Sequence, residues 1–219
     1  MTVLSPPSIE PSSRPVPTPR PGIPAVAVPA EVTLYAISGE QYDDMVRHGI
    51  LTEDDAVELL DGLLVQKMTK NPPHVMSGKL TAIALGRLCP DTHHLATQDP
   101  FATPASRPEP DVSVVRGSPR DYPDRHPLPS DLALVVEIAD TSVARDRGIK
   151  RRIYARAGVP VYWIVVLAER AVEVYTDPSS GPAADPGYAG LRRYPDGDRI
   201  PVVIDGREVG TVAVADLLP

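Results

Sequence analysis

The chain has 219 residues and a formal net charge of −7, a size that accommodates one ordinary domain with some chain to spare. Apolar residues at 42% and charged residues at 23% allow a sizeable core and exclude disorder throughout, while the acidic balance excludes a nonspecific nucleic-acid coat, whose affinity comes from excess cationic charge. The single Cys89 can form neither an intrachain disulfide nor a Cys-rich zinc site, which suits a reducing, cytoplasmic setting; no apolar run approaches the roughly 20 residues of a membrane helix, and the first residues do not read as a secretion signal.

Residues 1–30 carry nine of the 27 prolines and show no hydrophobic period. They read as a disordered tail ahead of a domain over 31–219, because such a segment buries too little apolar surface to offset its ordering entropy. Removing them is expected to leave the melting temperature within about one or two degrees; a fall of about ten would show that they pack on the domain. The span 38–48 reads as a short helix capped by Ser38, and 54–60 as a further helical turn. After the turn at Asp61-Gly62, residues 63–68 form a strand. The spacing of Met76, Leu80, Ile83, Ala84 and Leu88 predicts an amphipathic helix over 73–88. A short strand pair follows over 93–103, then a strand over 111–115, a proline-rich loop, and a stronger strand over 132–139. Thr141 or Ser142 caps a helix running to about Ala157, closed by Gly158 and Pro160. Two β-rich runs come next, at 161–167 and 171–175, and alternating edge strands at 191–194, 200–204 and 209–214. This mixed order predicts an α/β or α+β layer built on one sheet.

Glu137 is the most informative residue. It lies in a strand with Leu132, Leu134, Val136 and Ile138 on one face and Ala133, Val135 and Ala139 beside it on the other. A strand apolar on both sides is covered on both, and a carboxylate there costs several kcal/mol unless a cation or donor compensates it. Either an arginine pairs with it or it serves a site. Asp111 opens a second apolar strand; if the two strands pair, both carboxylates point into one pocket, where like charges call for a divalent ion. The alternative for Asp111 is an ordinary Pro-Asp turn. In the helix over 143–157, Asp146, Lys150 and Tyr154 share a face. Arg145, Arg147, Arg151, Arg152 and Arg156 make that helix the basic run of the chain, either as a solvated face or as a phosphate-facing one. Glu58 precedes the first strand and His74 opens the following helix, as a cap or as a catalytic group. His93 and His94 are adjacent, face opposite sides of a strand, and cannot share one metal. A Gly-rich phosphate loop, a Gly-x-Ser-x-Gly elbow and a His-Glu-x-x-His zinc pair are all missing from the sequence.

Taken in order, Glu58-Leu-Leu-Asp-Gly-Leu, Pro73-His74, Pro110-Asp111-Val-Ser-Val-Val, Val136-Glu137-Ile and Asp146-x3-Lys150-x3-Tyr154-x3-Gly158-Val-Pro-x-Tyr162-Trp163 closely resemble the Uma family of candidate restriction endonucleases, within the PD-(D/E)XK nuclease superfamily. The resemblance spans about residues 35–218, including the closing Val-Ala-Asp216-Leu-Leu. It implies a restriction-endonuclease-like core, a central mixed β-sheet flanked by helices, with Asp111 and Glu137 holding Mg²⁺ or Mn²⁺ and Glu58 contributing from a preceding helix. The wider superfamily carries a lysine two residues after the strand glutamate; Ala139 stands there, and the resemblance passes the role to Lys150. The implied activity is metal-dependent hydrolysis of DNA phosphodiester bonds, with Asp111, Glu137, Lys150 and Glu58 catalytic and His74, Arg147, Arg151 and Tyr154 on the substrate side. Two rivals stay open: a catalytically inactive interaction module of the same fold, and a metal-dependent hydrolase of another phosphoester. Oligomeric state is open between monomer and homodimer.

Overall fold

A computed structural model describes residues 31–179 and 185–219; the tail expected over 1–30 lies outside the described residues. Helix α1 (Gly39–Arg47) starts at Ser38, whose Oγ accepts from the Gln41 N–H at 3.1 Å while the Gln41 side chain accepts from the Ser38 N–H at 2.8 Å. This reciprocal cap satisfies two donors that the first helical turn leaves open. The helical turn expected over 54–60 is corrected: a 3₁₀ turn covers only Glu53–Asp55, and β1 (Val57–Leu60) follows at once, paired with β2 (Leu63–Gln66). The cause is the Asp61-Gly62 turn. Both residues have positive φ, 48° and 78°, the two-residue hairpin geometry that Asp-Gly favours and that needs a strand on each side. Glu58 therefore stands on a strand.

Helix α2 (Pro72–Gly86) is capped by Asn71, whose side chain accepts from the His74 N–H at 3.0 Å. It buries Ser77, Thr81 and Leu85, whereas Met76 and Ile83 of the expected apolar face are half exposed. Small side chains let the helix approach the turn Val214–Leu217 closely, where Ser77 Oγ donates to the Leu217 carbonyl at 2.6 Å. Of the strand pair expected over 93–103, one strand forms, β3 (His93–Ala96).

The remaining elements are β4 (Val112–Arg116), β5 (Leu132–Ala139), helix α3, then β6 (Val161–Val166), β7 (Ala171–Pro178), β8 (Tyr188–Pro195), β9 (Arg199–Ile204) and β10 (Arg207–Ala213). Helix α3 comprises an α turn, Val143–Arg145, a π turn, Asp146–Lys150, and an α-helical end, Arg151–Ala157, closed by Gly158 at φ 78°. The six-stranded sheet runs β3-β4-β5-β6-β7-β8. Only β5 and β6 are parallel, and α3 is the crossover that a parallel pair requires. The fold is thus α+β on a mixed sheet. On one face α2 and the β9–β10 hairpin cover Val136, Ile138 and Trp163; on the other, α3 and the β1–β2 hairpin cover Val135, Ala139 and Tyr162.

All eight residues of β5 are buried. Its register carries one irregularity, because Val114 pairs with Leu134 but Val115 pairs with Leu132. Ala133 is the extra residue, a bulge that exchanges Leu132 and Ala133 between the faces expected from simple alternation. From Leu134 onward the alternation holds, so Glu137 faces α3. Among the described residues no helix is long and apolar enough to cross a membrane.

Candidate active site

The antiparallel register sets Val112 opposite Val136, so Asp111, one residue before β4, comes level with Glu137 on β5. The Ile138 N–H donates to Asp111 Oδ2 at 2.9 Å and fixes that carboxylate at the end of the strand pair. A cleft opens there, lined by both carboxylates and by Glu58, His74, Asp146 and Lys150. Glu58 enters from β1, where its Oε2 accepts from the Glu109 N–H at 3.4 Å. Asp111, Glu137, Glu58 and Lys150 are 7%, 4%, 3% and 5% exposed, so each needs a partner inside the protein.

Lys150 supplies the central one. Its Nζ donates to Glu137 Oε1 at 2.9 Å and lies 3.6 Å from Glu58 Oε2. Asp146 and Lys150, four apart at the two ends of the π turn, share one helix face, and both are buried. Ser142 Oγ donates to Asp146 Oδ2 at 2.5 Å. Burial pushes the Glu137 carboxyl up to about 8, against the pull of Lys150, and nearby Asp146 and Asp111 push the same way. Burial opposes the Lys150 ammonium, but Glu137, Glu58 and Asp146 outweigh it and hold Lys150 above its ordinary range. Asp111 goes the other way: burial raises it, and His74, the Ile138 N–H and Lys70 together hold it below the usual carboxylate range.

Tyr154 is fully buried and its hydroxyl donates to Glu137 Oε1 at 2.5 Å. It therefore holds the carboxylate from beneath. Tyr154→Phe is expected to cost about 1–3 kcal/mol in a denaturant melt, the cost of leaving a buried acceptor without its donor; an unchanged midpoint would show that the hydroxyl holds nothing.

The sequence matches the family described as "Putative restriction endonuclease", Uma2, over residues 40–206. The chain belongs to the Uma2 family. A solved structure, "a putative nuclease belonging to DUF820" from Anabaena variabilis, superposes with a TM-score of 0.57 at 14% identity, over 78% of this chain and 94% of that one. At that identity the likeness is one of fold. No curated protein matches the chain.

Within this Uma2 protein the cleft gathers Asp111, Glu137, Glu58, Lys150 and His74 of the residues expected from sequence. His74 Nε2 stands 3.2 Å from Asp111 Oδ2. Arg147 and Arg151 do not line the cleft: Arg147 is held by Glu173 at 2.6 Å and Glu169 at 2.9 Å, beside β7. Three further groups enter that the sequence did not single out for the site. Asp146 is buried between Ser142 and Lys150; Arg145 lies 3.6 Å from Glu58; Lys70 lies 3.5 Å from Asp111. Asp146 had a sequence signal, its shared helix face with Lys150. Lys70 had none, since only the tertiary fold brings the segment between β2 and α2 to β4.

Among the described residues, no three His, Cys, Asp or Glu side chains stand together as a ready-made metal cage. Lys150 occupies the space between Glu137 and Glu58. The donor set nonetheless suits a hard divalent cation, because its acidic ligands are all carboxylate oxygens. Six carboxylates line the cleft (Glu58, Glu109, Asp111, Glu137, Asp140 and Asp146) against four fixed cations (Lys67, Lys70, Arg145 and Lys150), which leaves a formal charge of −2.

Proposed function

We propose that this protein is a Mg²⁺- or Mn²⁺-dependent endonuclease that hydrolyses DNA phosphodiester bonds. The observation that carries the reading is the level pairing of Asp111 with Glu137 across β4 and β5, with the Lys150 ammonium 2.9 Å from the glutamate. Asp111 and Glu137 would hold the ion, and Glu58 would support it from β1. Bound there, a divalent ion supplies a Lewis acid for the phosphoryl oxygen and a water of lowered pKa.

The chain's own residues do the rest. The Ile138 N–H and Tyr154 hydroxyl fix the two carboxylates, so little reorganisation is needed when charge develops. Lys150 offers an ammonium on the phosphate side, where negative charge grows in the transition state. His74, at the start of α2 and lining the same cleft, would donate from Nε2 to a phosphate oxygen once the ion takes over Asp111, its partner at 3.2 Å. A buried Glu–Lys pair beside two more buried acids is costly in a module that only docks, which favours a working site over an inactive scaffold.

The test is cleavage of single-stranded, duplex and branched DNA with Mg²⁺ or Mn²⁺, beside Asp111→Ala. Metal-dependent cleavage of at least one substrate, lost in the variant, is the expected result. An Asp111→Ala protein that cuts as fast as wild type would sink the assignment, and cleavage of other phosphoesters alone would move the substrate class.

A further inference from the structure

Within the cleft, the chain sets its own cations beside its carboxylates. Lys150 serves Glu137 and Glu58, Arg145 lies beside Glu58, Lys67 pairs with Glu109 at 2.6 Å, and Lys70 and His74 flank Asp111 at 3.5 Å and 3.2 Å. These contacts differ in how firmly they hold. Lys67 is in close contact with its partner. Lys70 is at the outer limit of a hydrogen bond, its side chain is 37% exposed, and Asp111 keeps the Ile138 N–H without it. A flexible four-carbon stem lets such an ammonium turn between a carboxylate inside the cleft and a ligand at its mouth.

The charge balance says what that freedom is for. A divalent ion cancels the formal −2 of the cleft. A phosphodiester entering afterwards brings another negative charge and requires a cation that no carboxylate retains. Close to Asp111, the ion also repels the Lys70 ammonium.

Resting on the function proposed above, we propose that Lys70 is a phosphate-binding residue that Asp111 holds in reserve: a divalent ion on Asp111 displaces Lys70 to the substrate phosphate, so metal and nucleic acid bind cooperatively. Lys70 then belongs to two sites in turn. It competes with metal in the empty cleft and assists the substrate in the loaded one.

The signature is a pair of effects with opposite signs. Mn²⁺ binding without DNA is measured calorimetrically for wild type, Lys70→Gln and Lys70→Arg. Binding of a short fluorescein-labelled DNA strand is followed by anisotropy in Ca²⁺, chosen to hold cleavage off. Lys70→Gln is expected to tighten Mn²⁺ about threefold, the scale of a half-exposed ion pair, and to weaken DNA about tenfold, the scale of a charge-assisted hydrogen bond. Lys70→Arg, which keeps the charge, should restore both. If Lys70→Gln leaves Mn²⁺ affinity unchanged or weakens it, Lys70 does not compete for Asp111 and the exchange is wrong. Unchanged DNA affinity would show that Lys70 does not reach the phosphate. A wild type that binds no Mn²⁺ overturns the metal reading and this inference together, whereas a wild type that binds Mn²⁺ and DNA beside an indistinguishable Lys70→Gln overturns this inference alone.

Discussion

Replacing Lys150 with alanine is expected to abolish cleavage, to destabilise the metal-free protein by about 3–5 kcal/mol above pH 8, where Glu137 is ionised, and to leave Mn²⁺ affinity undiminished. The buried Glu137 carboxylate would lose the ammonium 2.9 Å away and keep only the Tyr154 hydroxyl; Glu58 would keep Arg145 at 3.6 Å and the Glu109 N–H at 3.4 Å. Breaking one partner of a buried pair costs more than the pair contributes, because the survivor stays desolvated. For a domain of this size the loss is a fall of about 10 °C in melting temperature with EDTA present. Lysine is no ligand for a hard cation, and removing its charge relieves competition for Glu137. A Mn²⁺ affinity weakened more than tenfold, about 1.4 kcal/mol, would contradict the role given to Lys150.

Glu137→Gln should change how stability depends on pH. In the unfolded chain this glutamate releases its proton near 4.5, whereas in the folded protein burial delays the release to about 8. Between those values the native state binds a proton that the unfolded state has lost, so wild-type stability falls as pH rises and levels off above 8. The gap of about 3.5 pH units sets a ceiling on the order of 5 kcal/mol. Asp146, raised by burial, adds to the same slope, while Asp111, held low, contributes stability that is lost only on strong acidification. Glutamine has no proton to release. Melts with EDTA should therefore show Glu137→Gln gaining on wild type steadily from pH 5 to 8. Parallel curves would mean that Glu137 is ionised throughout, with Lys150 alone setting its state.

The strand that holds the site was legible because burial on both faces leaves one pattern, an unbroken apolar run over Leu132–Ala139, and a single acid inside such a run announces itself. Helix α3 was legible from its cap region and Gly158, and its inward face from the spacing of Asp146, Lys150 and Tyr154. The π turn over Asp146–Lys150 left no mark in composition. Glu58 was found but set on the wrong element. Four residues, Val57–Leu60, carry too little periodicity to separate strand from helix, and the decisive signal was the Asp61-Gly62 turn beyond them. On α2, the apolar spacing pointed to Met76 and Ile83, but close packing on Val214–Leu217 favours the smaller Ser77 and Thr81. The bulge at Ala133 and the approach of Lys70 to Asp111 arise from strand pairing and tertiary packing, which no local pattern encodes.

The register between β4 and β5 is the centre of the account, because it brings Asp111 and Glu137 level, as the two proposed ligands of one ion require. Calorimetric titration of Mn²⁺ at pH 8 into wild type, Asp111→Asn and Glu137→Gln tests it most directly. One ion per chain in the wild type, bound at least about tenfold more weakly by each variant, is the predicted result. Binding that survives unchanged in either variant would contradict the shared site, and so would a wild type that takes up no Mn²⁺.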